Sequence, residues 1–248
     1  MAWIRKIIPY LAIVFATLLG GGSLLVLVVF LYVGSLGLLD LGLELPGVLA
    51  WDALLCLAFF IQHSLMIRKS FRRRLVKFIP SHYQGAFYTV ASGIVLLVLL
   101  VFWQQSAHTL ITLQGALSWL VRGISFLAIA GFAWSMGALG SFDAFGLNPI
   151  LAQMRGTQES SMPFVIRGPY RWIRHPLYFF MLLLIWSCPR FSADRLLFNV
   201  FWTAWVVAGT VLEERDLVAD FGEPYRDYQR KVPMLIPWRF PVTRGQHD

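Results

Sequence analysis

Residues 11–33 read Leu-Ala-Ile-Val-Phe-Ala-Thr-Leu-Leu-Gly-Gly-Gly-Ser-Leu-Leu-Val-Leu-Val-Val-Phe-Leu-Tyr-Val, without one charged side chain. A helix needs roughly 20 apolar residues to cross about 30 Å of hydrocarbon, so this stretch is read as a transmembrane span. Its three consecutive glycines follow no strand and lie inside the span. They are read as a site of close helix packing, not a phosphate loop. Working outward, Val48–Ile67 is a second span carrying Asp52 and His63, and Phe87–Trp103 is a third. Leu117–Leu139 is a fourth, with Arg122 near one end, and Leu177–Cys188 and Leu196–Leu212 follow after a polar stretch. The fifth is short, and Pro189, Ser192 and Asp194 turn it into the sixth as one re-entering hairpin.

The composition agrees: 58% of residues are hydrophobic and 14% charged, where soluble domains carry closer to a quarter charged. The expected fold is an all-α integral membrane protein of about six transmembrane helices, its C-terminal hairpin flanked by ligand-binding segments. It is read as a single domain over 1–248, with a four-helix membrane part (1–140) and a C-terminal part (141–248) carrying the chemistry.

All lysines and arginines except Arg122, Arg190 and Arg195 fall at the N-terminus, in the second–third loop, in the fourth–fifth loop or in the tail. The positive-inside rule then places both termini in the cytoplasm, in a multi-pass protein expected in a bacterial inner membrane. The formal charge of +8 is read as attraction to anionic lipid headgroups, not to nucleic acid. No cleavable leader is expected, because the first apolar run is too long for one. Cys56 and Cys188 are read as packing residues, and no metal is expected.

Two polar stretches bracket the hairpin. The first is Phe164-Val165-Ile166-Arg167-Gly168-Pro169-Tyr170-Arg171-Trp172-Ile173-Arg174-His175-Pro176-Leu177-Tyr178. The second runs from Glu213-Glu214 through Phe221-Gly222-Glu223-Pro224-Tyr225 to Val232-Pro233-Met234-Leu235-Ile236-Pro237. Both reach the same membrane face. Proline suits the first turn of a helix, and free amides there, with Arg174 and His175, make an expected anion site. Glu213 and Glu214 close a helix whose C-terminal dipole opposes them, so an acid kept there suggests a cationic partner. The two acids point roughly 100° apart, so at most one of them is expected to face a ligand. Anion site and acid together suit an amino-acid zwitterion, with aromatic rings to hold a base. The same residue types also serve as ordinary interfacial anchors.

Spacing separates the two readings. Gly-x-Tyr-Arg-x-x-Arg-His-Pro-x-Tyr, followed by Glu-Glu-x-x-Leu, Phe-Gly-x-x-Tyr-x-x-Tyr and Val-Pro-x-x-Ile-Pro, resembles the isoprenylcysteine carboxyl methyltransferase-like superfamily over roughly residues 162–237. Gln62-His63-Ser64-Leu65-Met66 before a basic loop, and Phe142-Asp143-x-Phe145-Gly146-Leu147, resemble the narrower group of bacterial methanethiol S-methyltransferases and nitric-oxide-reduction-associated membrane proteins. The resemblance implies an S-adenosylmethionine-dependent methyltransferase. Phe164, Val165, Tyr170, His175, Pro176, Tyr178 and one of the paired acids would line its cofactor site. The carboxyl methyltransferases carry an arginine shortly before the acids, whereas Trp205–Gly209 here is apolar. A carboxylate buried without a cation is costly, so the expected substrate is a small thiol or another lipophilic molecule.

A thiol attacks as its thiolate, and histidine is the usual base near neutral pH. Intramembrane ionisable residues are functional candidates. His63 is therefore a candidate base or substrate contact, with a hydrogen-bonded packing histidine as the alternative. Asp143 is the second catalytic candidate, and Asp52 reads as structural. Two other functions fit parts of the pattern: an NADPH-dependent reductase resembling the sterol reductases, and a non-enzymatic membrane accessory protein.

Overall fold

The computed structural model describes residues 2–140, 143–157, 164 and 166–239, with side chains from Ile7 onward. Five helical stretches are long and apolar enough to cross a membrane: Ile7–Val33, Leu45–Ile67, Ser81–Phe102, Gly115–Ala138 and Ala193–Phe221. They overlap five of the six expected spans, the last of them continuing past the expected end at Leu212 to Phe221. The expected fifth is a helix of only 11 residues, Pro176–Trp186, about 16 Å long. It starts at a proline, and the chain turns to extended backbone before Pro189.

The chain divides into two compact units that interleave along the sequence. The first comprises Met1–His108, Asp143–Ser161 and Ser192–Phe198. Its opening span is built from α1 (Ala2–Phe15), a π-helical segment (Ala16–Gly21) and α2 (Gly22–Val33). These pack on α5 (Gln84–Phe102), which also packs on α3 (Leu45–Ile67). The expected tight packing at the glycine run is visible at Gly20, where a Cβ would lie 2.4 Å from the Thr89 methyl. The short basic helix α4 (Lys69–Leu75) follows α3 directly.

At the far end of α5, polar groups are tied together. Asp52 Oδ1 accepts the Gln104 amide at 2.9 Å, and Asp194 accepts the Trp103 indole N–H and the Ser106 amide. The buried Arg195 guanidinium donates to the carbonyls of Phe30 and Leu31, which end α2. A cation at a helix C-terminus meets both its unpaired carbonyls and its dipole. Asp52 thus has the structural role expected of it.

The second unit comprises Thr109–Phe142, Met162–Phe191 and Asn199–Asp248. Here α6 (Gly115–Ala138) packs along α8 (Pro176–Trp186). Gly131 makes room for the Phe180 ring, which would lie 2.2 Å from any Cβ placed there. Strand β1 (Thr109–Thr112) pairs with β2 (Arg190–Ser192), so the tip of the hairpin sits beside the start of α6. The helix α9 (Ala193–Phe221) gives its first residues to the first unit and the remainder to the second. The first unit also holds α7 (Asn148–Arg155), which packs on α1. After α9, Gly222 takes φ 63°, a left-handed turn that a side chain would strain. That turn folds α10 (Glu223–Lys231) back. Tyr225, Tyr228 and Val232 form its buried stripe against Phe164, Ile166, Leu217, Val218 and Phe221.

Candidate active site

In the second unit, the residues bracketing the hairpin converge on one carboxylate. Glu214 is buried near the end of α9. Arg174 grips it with two parallel bonds of 2.9 Å, from Nε to Oε1 and from Nη2 to Oε2. His175 Nε2 lies 2.7 Å from Oε1, the Tyr225 hydroxyl donates to Oε1 at 2.8 Å, and the Gln229 amide donates to Oε2. A buried carboxylate is costly unless it is paired and hydrogen-bonded. Here both oxygens are saturated and the charge is matched by Arg174, in the fork geometry that suits guanidinium to carboxylate.

The tail completes this frame. The Arg174 and His175 amides donate to the carbonyls of Pro233 and Met234 at 2.9 and 3.1 Å. The remaining Arg174 nitrogen donates to the carbonyls of Gln229 and Val232, and the Tyr228 hydroxyl donates to the Tyr170 carbonyl. Two of the groups expected at an anion site, Arg174 and His175, are engaged within the protein. Those two amides and the Arg174 guanidinium are committed to the tail and to Glu214. Burial pushes the Tyr225 and Tyr228 hydroxyls above the ordinary phenol range, with the neighbouring Glu214 carboxylate adding to the effect at Tyr225. Both remain hydrogen-bond donors at any physiological pH.

Glu213, one residue earlier, points elsewhere. Its side chain is 42% exposed, and its Oε2 accepts the Tyr178 hydroxyl at 2.7 Å. His175 Nδ1 lies 3.7 Å away, and the His175 and Tyr178 rings are stacked, 5.6 Å apart and 7° from parallel. Glu213 Oε1 has no hydrogen-bond partner among the described residues. This edge thus offers an open carboxylate oxygen, an aromatic ring and an imidazole on a rigid base. Tyr170 is half-buried, its hydroxyl raised by burial and by Glu213. Phe164 packs its ring against Phe221, Tyr225 and Tyr228, and Pro176 is buried at the first turn of α8. Val165 lies outside the described residues.

The other two candidates belong to the first unit. His63, on α3, faces the Tyr88 hydroxyl on α5, which lies 2.8 Å from Nε2 and 3.1 Å from Nδ1. The Phe59 ring is 5.3 Å away. Beside them, the Gln62 amide donates to Ser92 Oγ at 3.3 Å and to the Met66 sulfur. The Gln62 carbonyl oxygen is buried with no hydrogen-bond partner among the described residues. Asp143 accepts the Leu147 and Asn148 amides at 2.9 and 2.7 Å, which ties down the entry to α7.

The chain shares 38% identity with methanethiol S-methyltransferase 2 of Bradyrhizobium diazoefficiens over 194 residues, 78% of this chain and 74% of that protein. It shares 35% with a methanethiol S-methyltransferase of a Pseudomonas species, covering 80% and 76%. With that of Mycobacterium tuberculosis it shares 32%, covering 73% and 74%. The chain belongs to the methanethiol S-methyltransferase family. No protein-family model and no solved structure matches it. Membership makes this all-α membrane protein a methyltransferase, as the motif spacing leads one to expect. It also sets aside the reductase and accessory-protein readings.

Tyr225, Tyr228, Gln229, Tyr88 and Gln62 were not among the candidate site residues. The two tail tyrosines and Gln62 stand in the quoted motifs, so a signal existed for them. Tyr88 and Gln229 have partners distant in the chain, and nothing local marks them.

Proposed function

We propose that this protein is an S-adenosylmethionine-dependent methyltransferase that methylates small thiols such as methanethiol. The observation that carries the reading is the open acid Glu213, beside the His175–Tyr178 stack on a locked frame. When bound, S-adenosylmethionine supplies an electrophilic methyl group on a sulfonium centre. Glu213, Tyr178, His175 and Tyr170 would hold it, since an open carboxylate oxygen suits a cationic ligand group and the rings suit a base. Phe164, Pro176, Arg174 and Glu214 would support that edge without ligand contact. Val165 keeps the role that the resemblance implies.

His63 is proposed as the base for the thiol. Its imidazole takes the S–H proton, and the freed sulfur lone pair forms the new S–C bond. S-adenosylmethionine, when bound, would supply the methyl group and retain the electron pair of the bond it gives up. Tyr88 orients the ring and offers its oxygen to the N–H formed. Asp143, with both oxygens on backbone amides, is proposed to position the loop before α7. The acceptor would come from lipid or through the helices, which suits a small volatile thiol. Both termini and the cofactor edge are proposed to face the cytoplasm of a bacterial inner membrane, following the distribution of basic residues. Reporter fusions at the C-terminus that signal only from the periplasm would reverse that orientation.

The deciding experiment supplies membranes with methanethiol and S-adenosylmethionine and measures headspace dimethyl sulfide. A parallel assay follows labelled methyl transfer to a farnesylcysteine analogue. Dimethyl sulfide without base-labile label is expected. The reverse result would make a carboxylate the acceptor.

A further inference from the structure

The loop between the second and third spans is rich in cations to which the proposed chemistry assigns no part. Arg68, Lys69, Arg72, Arg73, Arg74 and Lys77 all have exposed side chains. The sequence contains no Asp or Glu between Asp52 and Asp143, so this charge has no acid nearby along the chain to balance it. The segment is held in place. The buried Gln84 side chain donates to the Arg72 and Ile79 carbonyls at 3.2 and 3.5 Å. At its end, Phe78 is 84% exposed and Val76 53% exposed. Such an edge suits the boundary of a bilayer, not open water.

Along one face of α3, a shallow open groove of about 360 Å³ is lined by Phe60, Ile61, Ser64, Leu65 and, at the helix end, Arg68. Its floor is apolar, and Arg68 stands at the end of α3 where the basic segment begins. An apolar slot running into a cluster of fixed cations matches one ligand chemistry: an acyl chain joined to a phosphate. We propose that this face of the first unit is a binding site for an anionic glycerophospholipid. One acyl chain would lie along Ile61 and Leu65, with the phosphate on Arg68 and the cations of α4. Clusters of four to eight basic residues beside a membrane helix attract anionic lipid, each contributing about a fivefold gain. The groove adds a place for the chain that a diffuse cationic collar lacks.

The full chain, reconstituted in nanodiscs of equal phosphatidylglycerol and phosphatidylcholine, would be released and its retained lipid counted by native mass spectrometry. Wild type should retain phosphatidylglycerol over phosphatidylcholine by about tenfold. Arg68→Gln with Arg72→Gln should remove most of that preference. Ser64→Phe, which fills the groove but keeps every charge, should lower retention of both lipids. Both variants should keep wild-type thermal unfolding and wild-type methyl transfer in neutral nanodiscs, so that lost retention is not lost folding. Equal retention of the two lipids by wild type would overturn the proposal. So would an unchanged preference in the double variant, or a Ser64→Phe variant that retains lipid as wild type does. Release of phosphatidylglycerol at moderate salt from wild type and Ser64→Phe alike would reduce the site to a collar of charge and overturn it as well.

Discussion

Glu214 and His63 are both polar side chains set in apolar helices, and their surroundings treat them differently. Glu214 accepts from Arg174, Tyr225 and Gln229 and faces His175, so neither oxygen has capacity left. His63 faces one hydroxyl, next to a glutamine whose carbonyl oxygen is buried and unmatched. The first arrangement fixes three separate chain segments in one geometry, because a saturated charged network resists rearrangement. The second joins α3 to α5 within the first unit, beside a glutamine whose carbonyl oxygen finds no partner among the described residues. In a membrane the distinction sharpens, since lipid tails cannot satisfy what the protein leaves open.

Substituting the frame should have the largest consequence. Glu214→Gln leaves the buried Arg174 without its counter-charge, and breaking a buried pair costs about 3–5 kcal/mol. Thermal unfolding in detergent should fall steeply, and binding of S-adenosylhomocysteine should be lost with it. A variant of wild-type stability would mean that Glu214 is not the frame.

His63→Asn tests the other side. Removing a general base lowers turnover by about a hundredfold or more, while S-adenosylhomocysteine affinity should stay at the wild-type value in calorimetry. If turnover and affinity instead fall together, the residue serves structure and not proton transfer.

Between these extremes stands Glu213→Gln, one residue from the frame and half exposed. It should leave unfolding unchanged yet weaken S-adenosylhomocysteine binding by about tenfold or more, the effect of one charge-assisted hydrogen bond. Unaltered affinity would remove Glu213 from the ligand edge.

The smallest expected effect belongs to Tyr88→Phe, which loses one neutral hydrogen bond, a factor of about two to ten. Because Tyr88 acts through His63, the acidic limb of the rate–pH profile should move as well. A slower enzyme with an unmoved limb would make Tyr88 a packing partner only.

The spans were legible because crossing a membrane is a matter of composition and length, and five of them lie where hydropathy puts them. The short α8 was legible as an apolar run. The frame around its entry was not, because its amides are met by backbone carbonyls of Pro233 and Met234, and backbone acceptors carry no residue signature. That one of the two acids turns outward followed from the 100° step between neighbours. Which one depended on the rotation of α9, set by packing that its own sequence does not encode. The resemblance named His175, Tyr178 and the paired acids together, and the structure brings them into one polar cluster in the second unit. The pairing of His63 with Tyr88 joins two helices across 25 residues, beyond the reach of any local pattern.

The frame also has a bearing on synthesis. Chains emerge from the ribosome N-terminus first, and Glu214 lacks two of its donors until Tyr225 and Gln229 have been made and threaded back, as the Arg174 and His175 amides lack acceptors until Pro233 and Met234 follow. Until then Glu214 can meet only Arg174 and His175, and the ligand edge has no floor. A nascent chain already inserted in the bilayer should therefore be catalytically silent. Competence would arrive late, with the closing of a short C-terminal tail and not with the insertion of the last membrane helix.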